Sequence, residues 1–195
     1  TITPDRKEEF VSGPDYQEIS EYLICHRKVK PVKSIDDAKD FEIVVPASTS
    51  YVDTLKNYPQ LTWRTDENLK TSKLITQVAE RKIDCTVSDS TIFDIERRYH
   101  PELVSKFILK DKTKLAWFTN KNNLHLTNAI SEWFIDYKSS GDYSWMMDKY
   151  YGYIDIFDYV DTYKLLKRIK SRLPKYKAMF IDAAKKNNLS ASMLA

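Results

Sequence analysis

Four groups of residues have types and spacing that could do chemistry. Near the start, Thr1-Ile2-Thr3-Pro4-Asp5-Arg6 places an arginine just after a threonine-rich segment. A guanidinium in that position can grip a carboxylate through two parallel hydrogen bonds, the alternative being an arginine in solvent. Ser48-Thr49-Ser50 directly follows a short apolar run and opens a helix. Unpaired backbone N–H groups and the helix dipole favour an anion there, although plain capping uses the same residues. Asp89 stands at the end of an expected strand and the start of an expected helix. In open α/β sheets ligands bind beyond the carboxyl ends of strands, so Asp89 is a candidate partner for a ligand ammonium group or an N-cap. Last, Lys164, Lys167, Arg168, Lys170, Arg172, Lys175 and Lys177 form a run without an intervening acid. A solvated helix face explains such a run, and attraction to an anionic polymer is its functional alternative.

Other chemistry is poorly supported. His26, His100 and His125 are scattered, and no Ser-His-Asp or Cys-His arrangement stands out, so neither a metal nor a cofactor is expected. Asp155, Asp158 and Asp161 fall in a segment that reads as a linker, where capping and solubility account for them. The three glycines, Gly13, Gly141 and Gly152, lie far apart, which excludes the glycine-rich dinucleotide and phosphate loops. Cys25 and Cys85 lack metal-type spacing, and their apolar surroundings favour buried free thiols over a disulfide.

These residues need elements to position them. Strands are expected over 19–26, 41–46, 60–65, 83–88, 104–109 and 113–119, the last two separated by Lys110-Asp111-Lys112. A short capped turn is expected over 34–40, and helices after Ser50, over 68–82, from Asp89 to Tyr99, over 124–138 and over 142–151. In the helix over 124–138, Leu126, Ala129, Ile130, Trp133, Phe134 and Tyr137 recur at helical spacing and read as a core stripe. Alternation of strand and helix predicts an α/β layer architecture with a mainly parallel sheet. Beyond residue 161 the pattern is purely helical, with stripes Leu165, Leu166, Ile169, Leu173 and Tyr176, Met179, Phe180, Ala183 separated by Pro174. The sequence reaches Ala195 about one turn after Ser190, which suggests a chain cut inside a second, helical domain.

Composition narrows the classes. The chain has 195 residues, 42% hydrophobic and 30% charged, which suits a globular protein. A net charge of +3 is too mild to argue for nucleic acid as a partner. The longest apolar run is far short of the ~20 residues that span a bilayer.

Several segments resemble known proteins. Thr1 to Arg6, the Ser48–Ser50 turn and the stretch Arg81 to Asp89 resemble the ligand-binding segments of type II periplasmic solute-binding proteins. That resemblance implies that Thr1 and Arg6 hold an α-carboxylate, that Ser48, Thr49 and Ser50 form the second lobe's anion loop, and that Asp89 holds an α-amino group. Two positions depart from it, Ser48 and Arg81 standing where relatives carry glycine. Tyr99-His100-Pro101-Glu102-Leu103, Ala116-Trp117-Phe118 and Phe157-Asp158-Tyr159-Val160-Asp161-Thr162 resemble a family of membrane-bound lytic transglycosylases. These join a solute-binding-like regulatory domain to a lysozyme-like catalytic domain.

The resemblance implies a solute-binding-like domain over 1–151 (part of lobe one, all of lobe two), a linker over 152–161, and the opening of an all-α lysozyme-like transglycosylase domain over 162–195. It implies a periplasmic protein of the outer membrane or cell envelope, with peptidoglycan, a muropeptide or an amino-acid-like group as partner. It leaves room for membrane association through a segment outside this chain. The family's catalytic glutamate falls beyond Ala195, so no catalytic residue is expected here and the chain alone is expected to be inactive. The rival expectation is a non-enzymatic periplasmic amino-acid-binding protein or sensor domain.

Overall fold

The computed structural model describes residues 1–152 and 159–194. They fall into two compact units, Thr1–Ile154 and Asp155–Ala195. The expected linker over 152–161 lies largely outside the described residues, because 153–158 are not among them.

The first unit is built on one five-stranded sheet of order β3-β2-β4-β1-β5. The strands are β1 (Phe10–His26), β2 (Ile43–Pro46), β3 (Trp63–Asp66), β4 (Cys85–Asp89) and β5 (Leu103–Asn120). β2 pairs parallel with β3 and β4, and β1 pairs antiparallel with β4 and β5. Four strands therefore run one way and β1 alone runs against them, which agrees with the expected, mainly parallel α/β sheet. β2 is buried along its whole length, as its uninterrupted apolar run requires.

Helices cover both faces. α2 (Tyr51–Lys56) seals one side, where Tyr51 and Leu55 join Leu23, Ile43, Val45, Val87 and Leu109 in a core. α3 (Thr71–Ala79) and α4 (Ser90–Glu96) seal the other, packing Leu74, Ile75, Val78 and Phe93 on Ile24, Val44 and Leu103. α1 (Pro4–Glu9) precedes β1, and α5 (Leu124–Ser139) and α6 (Asp142–Tyr151) follow β5. Gly141 separates α5 from α6 at φ 87°, a left-handed geometry that glycine adopts without steric cost.

Three expectations need correction. The segments 104–109 and 113–119 are one strand, β5, not two. Lys110-Asp111-Lys112 is a bulge inside it: Ile19 pairs with Thr113 and Glu21 with Lys110, and Lys112 takes φ 52°. The charged triplet mimics a turn because a bulge also exposes its residues. Second, Cys25 and Cys85 are joined in a disulfide, and no described cysteine is free. They are direct partners across β1 and β4 with Cα atoms 4.3 Å apart, a register invisible at a sequence separation of 60. Third, the stripe on α5 is only partly core. Phe134 is buried, but Leu126 and Trp133 are 47% and 48% exposed, and Ala129 is exposed too. Trp133 lies between Trp117 and Tyr137 in a stacked aromatic row.

Arg81 explains one of the two glycine replacements. α3 ends with Arg81 at φ 62°, and the Lys82 N–H returns to the Gln77 carbonyl at 2.9 Å. That is the left-handed helix ending in which glycine is usual. Ser48, by contrast, has no positive φ, so its backbone places no demand for glycine.

The second unit holds α7 (Tyr159–Ser171), α8 (Leu173–Asn187) and α9 (Ala191–Leu194). Pro174 sits in the first turn of α8, and Asn188 closes it at φ 52°. The seven cations of the 164–177 run are all exposed, which is the geometry of a solvated face. Among the described residues no helix is long and apolar enough to cross a membrane.

Candidate functional site

The sheet face under α2 carries an unusual strand residue. Glu21 is fully buried, in line with Leu23 and Cys25 on the apolar side of β1. A buried carboxyl must find hydrogen bonds, and α2 provides them. Ser50 Oγ donates to Glu21 Oε1 at 3.0 Å and Thr54 Oγ1 donates to Oε2 at 2.6 Å. Ser50 therefore does not cap α2 with its side chain; its hydroxyl is turned to β1.

Asp89 is the register partner of Glu21 on β4. Its Oδ1 accepts from the Ile92 N–H at 2.8 Å, so it does cap α4. Its Oδ2 accepts from the Tyr51 hydroxyl at 3.3 Å. Burial lifts the Asp89 carboxyl above its ordinary range, against the lowering pull of those hydrogen bonds. Burial and the Asp89 charge likewise raise the Tyr51 phenol, which keeps its proton.

Thr1 and Arg6 come to the same place. Ser50 Oγ lies 3.4 Å from Thr1 Oγ1, and Arg6 Nη1 donates to the Thr1 carbonyl at 3.0 Å. Arg6 is exposed and its guanidinium lies 6.0 Å from the centre of the Phe118 ring. Thr1, Arg6 and Ser50 are thus joined by hydrogen bonds, and Asp89 is tied in through Tyr51, the residue after Ser50.

Ser48 and Thr49 point elsewhere. They line a groove of about 640 Å³ at the carboxyl ends of β2 and β3, with Asp66, Lys70, Thr71 and Ile92. Thr49 Oγ1 donates to the Pro46 carbonyl at 2.9 Å, while Ser48 is exposed. The Ser48–Ser50 turn therefore splits its side chains between two surfaces.

Sequence reasoning missed Glu21, Tyr51 and Thr54. One signal was available for Glu21, an acid at a core-facing position between Ile19 and Leu23. Tyr51 and Thr54 carry no such signal, since both fit an ordinary helix stripe. Among the described residues no group of three or more His, Cys, Asp or Glu is placed to hold a metal ion.

The same fold, a mixed sheet with helices on both faces, is found in solved solute-binding proteins. The arginine-binding protein of T. maritima (a P235GK mutant) matches 78% of this chain and 66% of its own at TM-score 0.70 and 18% identity. The cysteine-binding protein of Campylobacter jejuni matches 83% and 65% at TM-score 0.71 and 18% identity. Sequence likeness is closer to another group. The membrane-bound lytic murein transglycosylase F of Shewanella pealeana is 36% identical over 185 residues, 91% of this chain, and that of Aeromonas hydrophila is 35% identical over 184 residues. The chain spans 38% and 37% of the length of those two relatives. No protein-family model matches the chain.

Proposed function

We propose that this chain is the sensing portion, with the first helices of the catalytic domain, of a peptidoglycan lytic transglycosylase. The domains divide as 1–151, a linker over 152–161, and the opening of the lysozyme-like domain over 162–195. The whole protein cleaves the β-1,4 bond between N-acetylmuramic acid and N-acetylglucosamine and leaves a 1,6-anhydro sugar. The observation that carries this reading is the 36% identity over 91% of the chain, which is too much of the chain for the solute-binding-like unit alone to account for. The test is digestion of purified sacculi by the complete protein with mass spectrometry of the products. A digest without 1,6-anhydro muropeptides would sink the proposal.

The solute-binding-like unit reads a muropeptide or amino-acid-like group through Thr1, Arg6, Ser48, Thr49, Ser50 and Asp89. The hydrogen-bonded grouping of Thr1, Arg6 and Ser50 supports this, with Asp89 adjoining. Calorimetry on the complete protein tests it: Arg6→Ala should weaken stem-peptide binding by roughly ten- to a hundredfold, the loss of one charge-assisted pair of about 1.5–3 kcal/mol. Unchanged affinity would remove Arg6 from the site. A periplasmic location at the outer membrane or cell envelope fits the Cys25–Cys85 disulfide, since such bonds persist in oxidising compartments.

The second reading, a non-enzymatic amino-acid-binding protein, is favoured by the structural likeness alone. The helical residues of the second unit distinguish the two, because a transport-type binding protein has no need of them.

A further inference from the structure

We propose that the first unit carries an oxyanion site at the end of its sheet opposite Asp89, built from His26, Lys28 and Arg81. It lies at the far end of β1 from Glu21, and holds whether or not the unit reads a stem peptide.

A cavity of about 380 Å³ opens there, where β1 ends and the segments leading into β2 and β4 arrive. His26, Lys28, Lys30 and Arg81 line it, with Asp40 and Asp84. His26 is only 7% exposed. Its Nδ1 accepts from the Lys28 N–H at 3.1 Å, so the neutral ring carries its proton on Nε2. Among the described residues nothing accepts that proton. Asp84 is turned away to the backbone, its Oδ2 accepting from the Glu42 N–H at 3.0 Å.

Arg81 points to the same ligand independently. At φ 62° it holds a long cationic side chain in a conformation that glycine adopts freely and other residues resist. Among the described residues its guanidinium forms no ion pair. Backbone strain of this kind gathers at ligand clamps. The disulfide fixes the frame, because Cys25 directly precedes His26 and Cys85 directly follows Asp84. A planar guanidinium, a ring N–H and an ammonium converging on one cavity complement an oxyanion. Burial, and after it the Arg81 charge, hold the His26 ring below its ordinary range; Lys28 and Arg27 add to this and Glu102 opposes it. An anion among these groups favours the imidazolium, and by reciprocity the imidazolium favours the anion. Binding therefore strengthens as pH falls through the His26 pKa.

The probes are inorganic phosphate and acetate, each added at constant ionic strength to the chain and to the complete protein. The His26 ring protons are followed by NMR across acidic to neutral pH and assigned by their loss in His26→Gln. Phosphate is expected to shift the ring signals and raise the ring's pKa. A response to acetate as well extends the site to carboxylates, and a response to one anion alone assigns that class. Arg81→Gly should weaken binding by about fivefold without lowering the melting temperature. Lys28→Ala keeps the backbone N–H on His26, and should weaken binding by about twofold at an unchanged melting temperature. The site is overturned if neither anion moves His26, or if Arg81→Gly binds as the parent does. Should Arg81→Gly fail to fold, parent-like binding by Lys28→Ala overturns it.

Discussion

Tyr51 and Asp89 exchange two hydrogen bonds: the phenol donates to Asp89 Oδ2 at 3.3 Å and accepts from the Asp89 N–H at 3.1 Å. The pair closes the top of α2 onto β4 and shields the carboxyl from water, which raises its pKa from the ordinary 3.8. A carboxyl raised in the folded state holds its proton where the unfolded chain has lost it. Between the ordinary value and the raised one, the folded state binds more protons, so stability falls as pH increases through that window. Asn also caps helices well, so Asp89→Asn keeps the cap and removes the charge. Denaturation of parent and Asp89→Asn across acidic pH should show their stability difference growing in favour of the variant as pH rises, then levelling. A difference independent of pH would mean the carboxyl is not perturbed.

The disulfide offers a second check. Its two cysteines are 60 residues apart, and closing a loop of that size restricts the unfolded chain by about 4 kcal/mol in the chain-entropy treatment. Both cysteines are fully buried in the core under α2. Reduction, or Cys25→Ala with Cys85→Ala, should lower the denaturant midpoint by a shift of that order. A change under ~1 kcal/mol would show that the reduced core repacks without loss.

Arg81 is a residue with a side chain where the backbone prefers none. At φ 62° a side chain costs about 1 kcal/mol relative to glycine. Arg81→Gly is expected to stabilise the unit by about 0.5–1 kcal/mol, partly offset by the entropy that glycine loses on folding. Loss of stability in urea melts would show that Arg81 makes a contact worth more than its strain.

α5 gives a paired prediction. Phe134 is buried, so Phe134→Ala should cost about 3–5 kcal/mol. Leu126 belongs to the same sequence stripe but is 47% exposed, and Leu126→Ala should stay within about 0.5 kcal/mol. Equal losses would place Leu126 in a core.

Much of this fold is legible in the sequence where a local pattern has a local cause. β2 reads as a doubly buried strand because nothing polar interrupts Ile43 to Val45. α4 reads from Asp89, and Asp89 does cap it. What escaped depends on pairing. The partner of Cys25 follows from the β1–β4 register, and the Ser50 hydroxyl is claimed by a residue 29 positions earlier. The exposed half of the α5 stripe escaped for another reason, since helical spacing shows that a face is apolar without showing what lies against it. Of the six candidate site residues, the fold gathers Thr1, Arg6 and Ser50 by hydrogen bonds with Asp89 beside them, while the buried Glu21 behind Ser50 follows from strand pairing that no local pattern shows.

The long ribbon of β1 and β5 has a consequence for how the protein comes into being. Phe10 pairs with Asn120 and His26 with Leu103, so β1 waits on that side for a partner made some 80 to 110 residues later. Contacts so distant along the chain close slowly, because loop entropy is lost before any reward arrives. On the ribosome β1 must emerge and remain unpaired on that side until β5 follows. The apolar segment Leu23 to Cys25 finds its first sheet partner only when β4 has been made, about 60 residues later, and stays exposed to misassociation until then.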